Sequence, residues 1–282
     1  MRFQRLIIAA ITACAVSACA KDITGVTHTP PPLAYVRYIN AVNDTFNMDF
    51  RAVDQVAYSP PFLNVLFRGL GDGNYQGYQA GSRHIRIFLD PAPGNNTVAV
   101  DPAIVSSVMV DTTYTFVSGT YYTLIETGSA RAKTTKLTIV TDALPAASAG
   151  IQYRVYNLAT TQGAVDVYVT GDTTTALAGA PAIANLAAGT ASAYKAQATG
   201  PMAIRLTVPT TTTQVGGNAG YIVQAGTAGT TAVDPIYGSG QAGSIFTAFI
   251  FDASAALSPG ATFAAPGVVY YPDMQPARTT SP

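Results

Sequence analysis

One pattern is written twice in this chain, and it constrains the fold more than any other feature. The first copy is Tyr35-Val-Arg-Tyr-Ile-Asn-Ala-Val-Asn-Asp-Thr-Phe-Asn-Met-Asp-Phe50, and the second is Tyr153-Arg-Val-Tyr-Asn-Leu-Ala-Thr-Thr-Gln-Gly-Ala-Val-Asp-Val-Tyr-Val169. Arg37 aligns with Arg154, Asn40 with Asn157 and Asp49 with Asp166, each pair 117 positions apart. Apolar positions follow: Tyr38 with Val155, Met48 with Val165, Phe50 with Val167. Further on, Ile85-Arg86-Ile87 matches Ile204-Arg205-Leu206 at an offset of 119, and Gly119 to Thr123 matches Gly243 to Thr247 at 124. A rising offset puts the additional residues in loops, where insertions are tolerated. The chain reads as one domain encoded twice.

The local pattern is that of strands. In residues 83–89, Ile85, Ile87 and Leu89 fall on one face and His84, Arg86 and Phe88 on the other, the period of a half-buried strand. Other strand candidates in the first copy are 35–40, 47–53, 62–68, 97–100, 105–109, 113–117, 120–126 and 136–140. Turn signals separate them, among them Ser59-Pro60-Pro61 and Pro93-Gly94-Asn95-Asn96. Only Glu126 among the 15 acidic residues is a Glu, a bias toward turn formers over helix formers. Many short strands at this spacing predict an all-β protein of two tandem antiparallel immunoglobulin-like β-sandwiches.

The N-terminus carries an export pattern. Arg2 and Arg5 precede an apolar run from Leu6 to Val16, too short for a permanent membrane span. It ends in Val16-Ser17-Ala18-Cys19, which resembles the lipobox of bacterial lipoproteins, so residues 1–18 are expected to be removed and Cys19 to be lipidated. The partner this implies is a membrane, held through the lipid. The location implied is the bacterial cell envelope, and the lack of Asp directly after Cys19 favours the outer membrane. Cys14 would leave with the signal, so no internal disulfide is expected.

The rest of the chain divides by composition. Residues 19–33, with Pro30-Pro31-Pro32, form an extended tether. The first sandwich is expected over 34–143, an Ala/Ser/Gly linker over 144–150, the second sandwich over 151–273 and a disordered tail over 274–282. Ala176 to Thr190 suggests a short helix or loop. A flexible linker predicts that each domain unfolds on its own.

Each copy resembles the family called domain of unknown function 4397. The residues that carry the resemblance are Val36 to Ala41 with Met48-Asp49-Phe50, then Arg154 to Leu158 with Val165 to Tyr168. A Tyr before a Gly-containing turn fits Tyr78 to Gly81 and, less cleanly, Tyr194 to Gly200. Leu158 in place of Ala41 is a departure in the second copy. The resemblance implies a β-sandwich on exported proteins and names no activity.

No catalytic constellation stands out. His84 is the sole His beyond the tether, and its counterpart is Ala203, so a Ser-His-Asp arrangement has no second copy to support it. Neither a His/Cys cluster for zinc nor a carboxylate pair for glycoside hydrolysis is present. Asn40 with Asp49, and Asn157 with Asp166, are expected to brace loops; as calcium ligands they supply too few oxygens even with Asp44, whose counterpart is Thr161. Asp72-Gly73-Asn74 is a turn for the same reason. Arg37 and Arg154 are expected on a sheet face, met by a carboxylate or by water. No cofactor and no metal is expected. With Arg2 and Arg5 removed, 13 basic side chains face 15 acidic ones, which gives no footprint for nucleic acid. Sixteen Tyr, including Tyr121-Tyr122 and Tyr270-Tyr271, could meet a protein or glycan ligand. The expectation is a non-catalytic, lipid-anchored scaffold, adhesion or ligand-binding module; the alternative is an envelope hydrolase with an Asp/Tyr site.

Overall fold

A computed structural model describes residues 30–71, 74–90, 108–217, 220–256 and 263–278. The signal segment, Cys19, most of the tether, Asp72-Gly73 and the strand candidate 97–100 lie outside them.

The first repeat holds β1 (Leu33–Asn40), β2 (Asn47–Ala52), β3 (Phe62–Val65), β4 (Gln76–Gln79), β5 (Gly81–Asp90), β6 (Val108–Phe116), β7 (Tyr121–Thr127) and β8 (Lys136–Asp142). The second holds β9 (Ile151–Asn157), β10 (Val165–Thr170), β11 (Ile183–Leu186), β12 (Lys195–Gln197), β13 (Met202–Thr207), β14 (Tyr221–Val223), β15 (Ile245–Phe251) and β16 (Gly267–Met274). Sheet orders match strand for strand: β4-β1-β7-β8 corresponds to β12-β9-β15-β16, and β3-β2-β5-β6 to β11-β10-β13-β14. Each repeat is therefore a sandwich of two four-stranded sheets. Pairing is antiparallel except between β1 and β7 and between β9 and β15, which run parallel.

Alternation fixes what each face meets. In β1, Val36 and Tyr38 point into the first core with Phe50, Phe62 and Leu124. In β9, Tyr153 and Val155 point into the second core with Val167, Ile204 and Phe246. Burying side chains of this size contributes about 1.5–3 kcal/mol each.

The opposite faces of these sheets are buried too. Ile39, Phe67 and Ile125 from the first repeat join Tyr156, Leu158, Phe249 and Phe251 from the second in a third cluster. That is why all seven residues of β15 are buried: it is covered on both faces, and it reads as the unbroken apolar run Ile-Phe-Thr-Ala-Phe-Ile-Phe. Residues Pro32–Pro282 form one compact unit; of Met1–Pro31, only Pro30 and Pro31 are described.

Four expectations need correction. The repeats share a core and do not stand apart on a flexible linker; the face-to-face apolar surface of β1, β7, β9 and β15 is what joins them. Ala176 to Thr190 contains a strand, β11, because β10 needs an edge partner for Val165 and Val167. The tail is tied down in part: Tyr237 N donates to Gln275 Oε1 at 2.8 Å and Arg278 pairs with Asp234. Finally, the Tyr/Gly feature aligns differently. β4 meets β1 at Val36↔Gln76, and β12 meets β9 at Tyr153↔Lys195, so Tyr194 is the counterpart of Tyr75, not of Tyr78.

Candidate functional site

The strongest concentration of buried polar chemistry lies between the two sheets that face each other. Arg37 is wholly buried on the outward face of β1, and Arg154 occupies the same place on β9. Neither lies on an open sheet face. Arg37 Nε donates to Thr123 Oγ1 at 2.8 Å, and Arg154 Nε donates to Thr247 Oγ1 at 2.8 Å. These threonines are equivalent positions on β7 and β15. The far end of each guanidinium then crosses to the other repeat. Arg37 Nη2 meets Asp273 Oδ1 at 2.7 Å, and Arg154 Nη2 meets Asp142 Oδ1. Asp142 and Asp273 close the last strands of their repeats, so the two ion pairs are crossed.

The carboxylates are held from their own side. Asp142 accepts from Thr123 Oγ1 and, at 2.9 Å, from Tyr75 OH. Asp273 accepts from Thr247 Oγ1 and from Tyr194 OH, both at 2.7 Å. Each guanidinium also lies over its own repeat's ring, Arg37 at 4.5 Å from the Tyr75 centroid and Arg154 at 4.9 Å from Tyr194. Burial disfavours both charges, but Asp273 and Asp142 outweigh it, and both arginines are held above their ordinary pKa. Burial pushes the Tyr75 and Tyr194 hydroxyls up, so both remain donors. The network is a lock: charge, hydrogen bonds and ring stacking are all spent inside the protein.

The repeated Asn and Asp brace loops in both halves. Asn40 Oδ1 accepts from Val42 N at 3.0 Å and its amide donates to Val65 O at 2.9 Å. Asn157 repeats this with Ala159 N at 3.0 Å and Leu186 O at 3.0 Å. Asp49 Oδ1 receives Asn64 N at 2.8 Å, and Asp166 Oδ1 receives Asn185 N at 2.6 Å. Asn64 and Asn185 adopt positive φ, 54° and 48°, where the register slips between the paired strands. Asn tolerates that conformation better than most residues. Each Asp thus satisfies an N–H that the irregular strand leaves without a ladder partner.

Asp44 is not a spare calcium ligand. Its carboxylate receives Ala130 N at 2.9 Å, Arg131 N at 3.2 Å and Ser129 Oγ. In the second repeat the equivalent loops are braced from the other side: Asp252 receives Thr161 N and Gln162 N, both at 3.1 Å or less. Asp44 and Asp252 both line a cleft of about 580 Å³ where the repeats meet, with their oxygens directed at these donors. Among the described residues no group of three or more His, Cys, Asp or Glu could hold a metal.

His84 sits on the outer face of the first sandwich. Its Nε2 contacts Asp111 at 2.5 Å, and Arg86 pairs with the same carboxylate at 2.9 Å. Among the described residues no Ser, Thr or Cys side chain is hydrogen-bonded to His84 or Asp111. The tyrosine pairs are used internally: Tyr122 is buried, Tyr121 stacks on Tyr35 with centroids 4.7 Å apart, and the Tyr270 and Tyr271 hydroxyls donate to Tyr221 O and Arg68 O.

Sequence reasoning missed three members of the lock. Asp142 and Asp273 stand at the ends of the repeats, where they marked boundaries, and Tyr75 was passed over for Tyr78, three residues further on, as the counterpart of Tyr194. The available signal was the pairing of Thr141-Asp142 with Pro272-Asp273 after β-branched or aromatic residues. Glu126 was also missed. It is wholly buried, it accepts a hydrogen bond from Tyr38 OH, and burial raises its pKa to about 7.

Among curated proteins the chain has no match. Residues 34–168 match the family described as Domain of unknown function (DUF4397), which covers the whole first sandwich and continues through β9 into β10. Both crossed arginines, Arg37 and Arg154, fall in the matched segment together with Asn40, Asp49, Asn157 and Asp166, and residues 34–168, just under half of the chain, carry a DUF4397-like domain.

Proposed function

We propose that this chain is a non-catalytic, lipid-anchored protein of the bacterial cell envelope, serving as a rigid surface scaffold or ligand-binding module. The observation that carries the reading is the use made of the buried polar groups. Arg37, Arg154, Asp142 and Asp273 bond one another, and Asp44, Asp166 and Asp252 bond backbone N–H groups. These are devices that hold shape. An enzyme keeps reactive groups aimed at an accessible cleft. Two sandwiches locked face to face suit a spacer that presents its outer faces at a fixed angle. The Val16-Ser17-Ala18-Cys19 pattern supports the anchor.

The test is mass spectrometry and fractionation of the chain made in a bacterial host. The expected mature N-terminus is a diacylglyceryl-modified Cys19, and Cys19→Ala should release the protein from the membrane fraction. Normal processing and membrane retention of Cys19→Ala would contradict the anchor. Turnover of any substrate in a hydrolase panel, abolished by one Asp substitution outside the lock, would contradict the non-catalytic reading.

A further inference from the structure

The chain enters its folded unit at one end of the molecule. Pro32 O accepts from Ala80 N at 2.9 Å, and Leu33 O accepts from Gly119 N at 2.8 Å. The first repeat gathers its loops 53–61 and 117–120 there. Tyr58 O accepts from Gln79 N at 2.6 Å, next in sequence to Ala80, so loop 53–61 stands beside the point of entry. The second repeat presents the same end. Linker 143–150 leaves β8 where Asp142 pairs with Tyr121, and Gly243 N donates to Gly150 O at 2.8 Å, which brings loop 224–244 against the linker. The far pole is marked by Ala255 N, which donates to Asn43 O across the repeats at 2.9 Å.

The entry end exposes apolar side chains and little unpaired charge. Val56 is 80% exposed, Val117 59% and Tyr58 48%, while Val233 and Ile236 in loop 224–244 are 61% and 55% exposed. Tyr58 holds its ring in the open at a φ of 54°, a costly backbone for an aromatic residue. The charged residues of loops 53–61, 117–120, 143–150 and 224–244 are Asp54 and Asp234, and each is ion-paired, with Arg83 and Arg278. In loop 171–182, which follows β10 at this end, Asp172 accepts from Thr174 N and Thr175 N, both at 2.7 Å. The far pole differs. The β7–β8 hairpin there carries Arg131, Lys133 and Lys136, and Asp44 and Asp252 line the cleft where the repeats meet.

We propose that the entry end seats on the lipid surface to which the chain is tethered. The inference rests on the lipid-anchored reading above and adds an orientation to it. At about 3.3 Å per residue, Cys19 to Pro31 spans at most about 43 Å. The ten residues of β5 run about 33 Å from this end toward the far pole. Turning the far pole to the lipid would therefore use most of the tether, whereas the entry end reaches the surface with the chain slack. Tethering also holds that end at a high effective concentration of lipid, so a modest apolar surface suffices. Exposed apolar clusters on a folded domain mark contact surfaces. Here Val56, Val117, Val233 and Ile236 meet the edge of the acyl region, and the Tyr58 ring lies at headgroup level, where aromatic side chains are enriched.

The test uses residues 20–282, which contain no Cys, with an N-terminal hexahistidine held by a nickel-chelating lipid in phosphatidylethanolamine/phosphatidylglycerol vesicles. Placement is then read whether or not a cell acylates Cys19. An environment-sensitive fluorophore is attached at Val56→Cys, and in a second sample at Ala132→Cys on the far hairpin, and each is quenched with nitroxide-bearing lipid. The label at 56 should shift to the blue on vesicles and be quenched several-fold more than the label at 132, which should emit as in water. Adding Val117→Asp with Ile236→Asp should bring the label at 56 down to the level of the label at 132. Both side chains are exposed, so the thermal midpoint should stay where it is. Equal quenching at the two positions, or stronger quenching at 132, which would lay the cationic hairpin on the anionic lipid, would overturn the proposal. So would quenching at 56 that survives the two Asp substitutions, or a blue shift at 56 that grows with protein concentration without vesicles, which would assign this end to a second copy of the chain. An acylated Cys19 with the two labels alike refutes this inference alone; a seated end on a chain whose Cys19 is never acylated refutes the anchor alone.

Discussion

Arg37 and Arg154 occupy positions where a lone charge would be costly, and each is kept by a carboxylate from the other half of the molecule. Buried pairs of this kind gain little over apolar replacements, but breaking one by removing a single partner typically costs about 3–5 kcal/mol. The lock therefore acts through register: it admits one relative placement of the two sandwiches and penalises others. Glu126 is the opposite case. It is a buried carboxyl with Tyr38 OH as its donor and no cation against it, and burial carries its pKa from the ordinary 4.5 to about 7. The native state thus holds this proton more tightly than the unfolded state. The stability it contributes is full below about pH 4.5, declines as pH rises toward about 7, and is level above that. At about 1.4 kcal/mol per pKa unit the decline amounts to about 3 kcal/mol. Urea unfolding from pH 4 to 8 should show that slope in the wild type and lose it in Glu126→Gln; an unchanged slope in the variant would assign it to other groups.

At the scale of elements, the Asn and Asp signatures hold irregular strands in place. Asp166 serves two donors, Asn185 N and Thr210 N at 2.8 Å, and is nearly buried. Asp49 serves one, Asn64 N, with Arg51 beside it at the surface. Asp166→Ala should therefore cost about 1–3 kcal/mol and Asp49→Ala about 1 kcal/mol or less. Neither the wild type nor the variants should respond to calcium or to chelator. A chelator-sensitive melting midpoint that either substitution removes would make these residues metal ligands. The repeat, the strand character and the pairing of Asn40 with Asn157 were legible because each rests on local spacing. β4 and β11 were not: Gln76-Gly-Tyr-Gln79 and Ile183-Ala-Asn-Leu186 are four-residue edge strands with little apolar alternation, formed because β1 and β10 present open ladders. The outward faces of β1, β7, β9 and β15 were misjudged for a related reason. An apolar face reads the same whether it meets its own sheet or a neighbouring domain, and Arg37 on such a face suggests solvent until its partner, 236 residues away in sequence, is known.

For the whole molecule, the duplication yields one body with two cores and a third cluster between them. Because each arginine draws its carboxylate from the other repeat, damage in one half should be felt in both. Differential scanning calorimetry of the wild type and Asp273→Asn tests this most directly. The substitution lies in the second repeat and strips the charge partner from Arg37 in the first. The account predicts one transition in each protein, with calorimetric and van't Hoff enthalpies in agreement, shifted down as a whole by several degrees in the variant. Two transitions, with only the second-repeat step displaced, would show that the sandwiches unfold independently and that the crossed pairs do not join them.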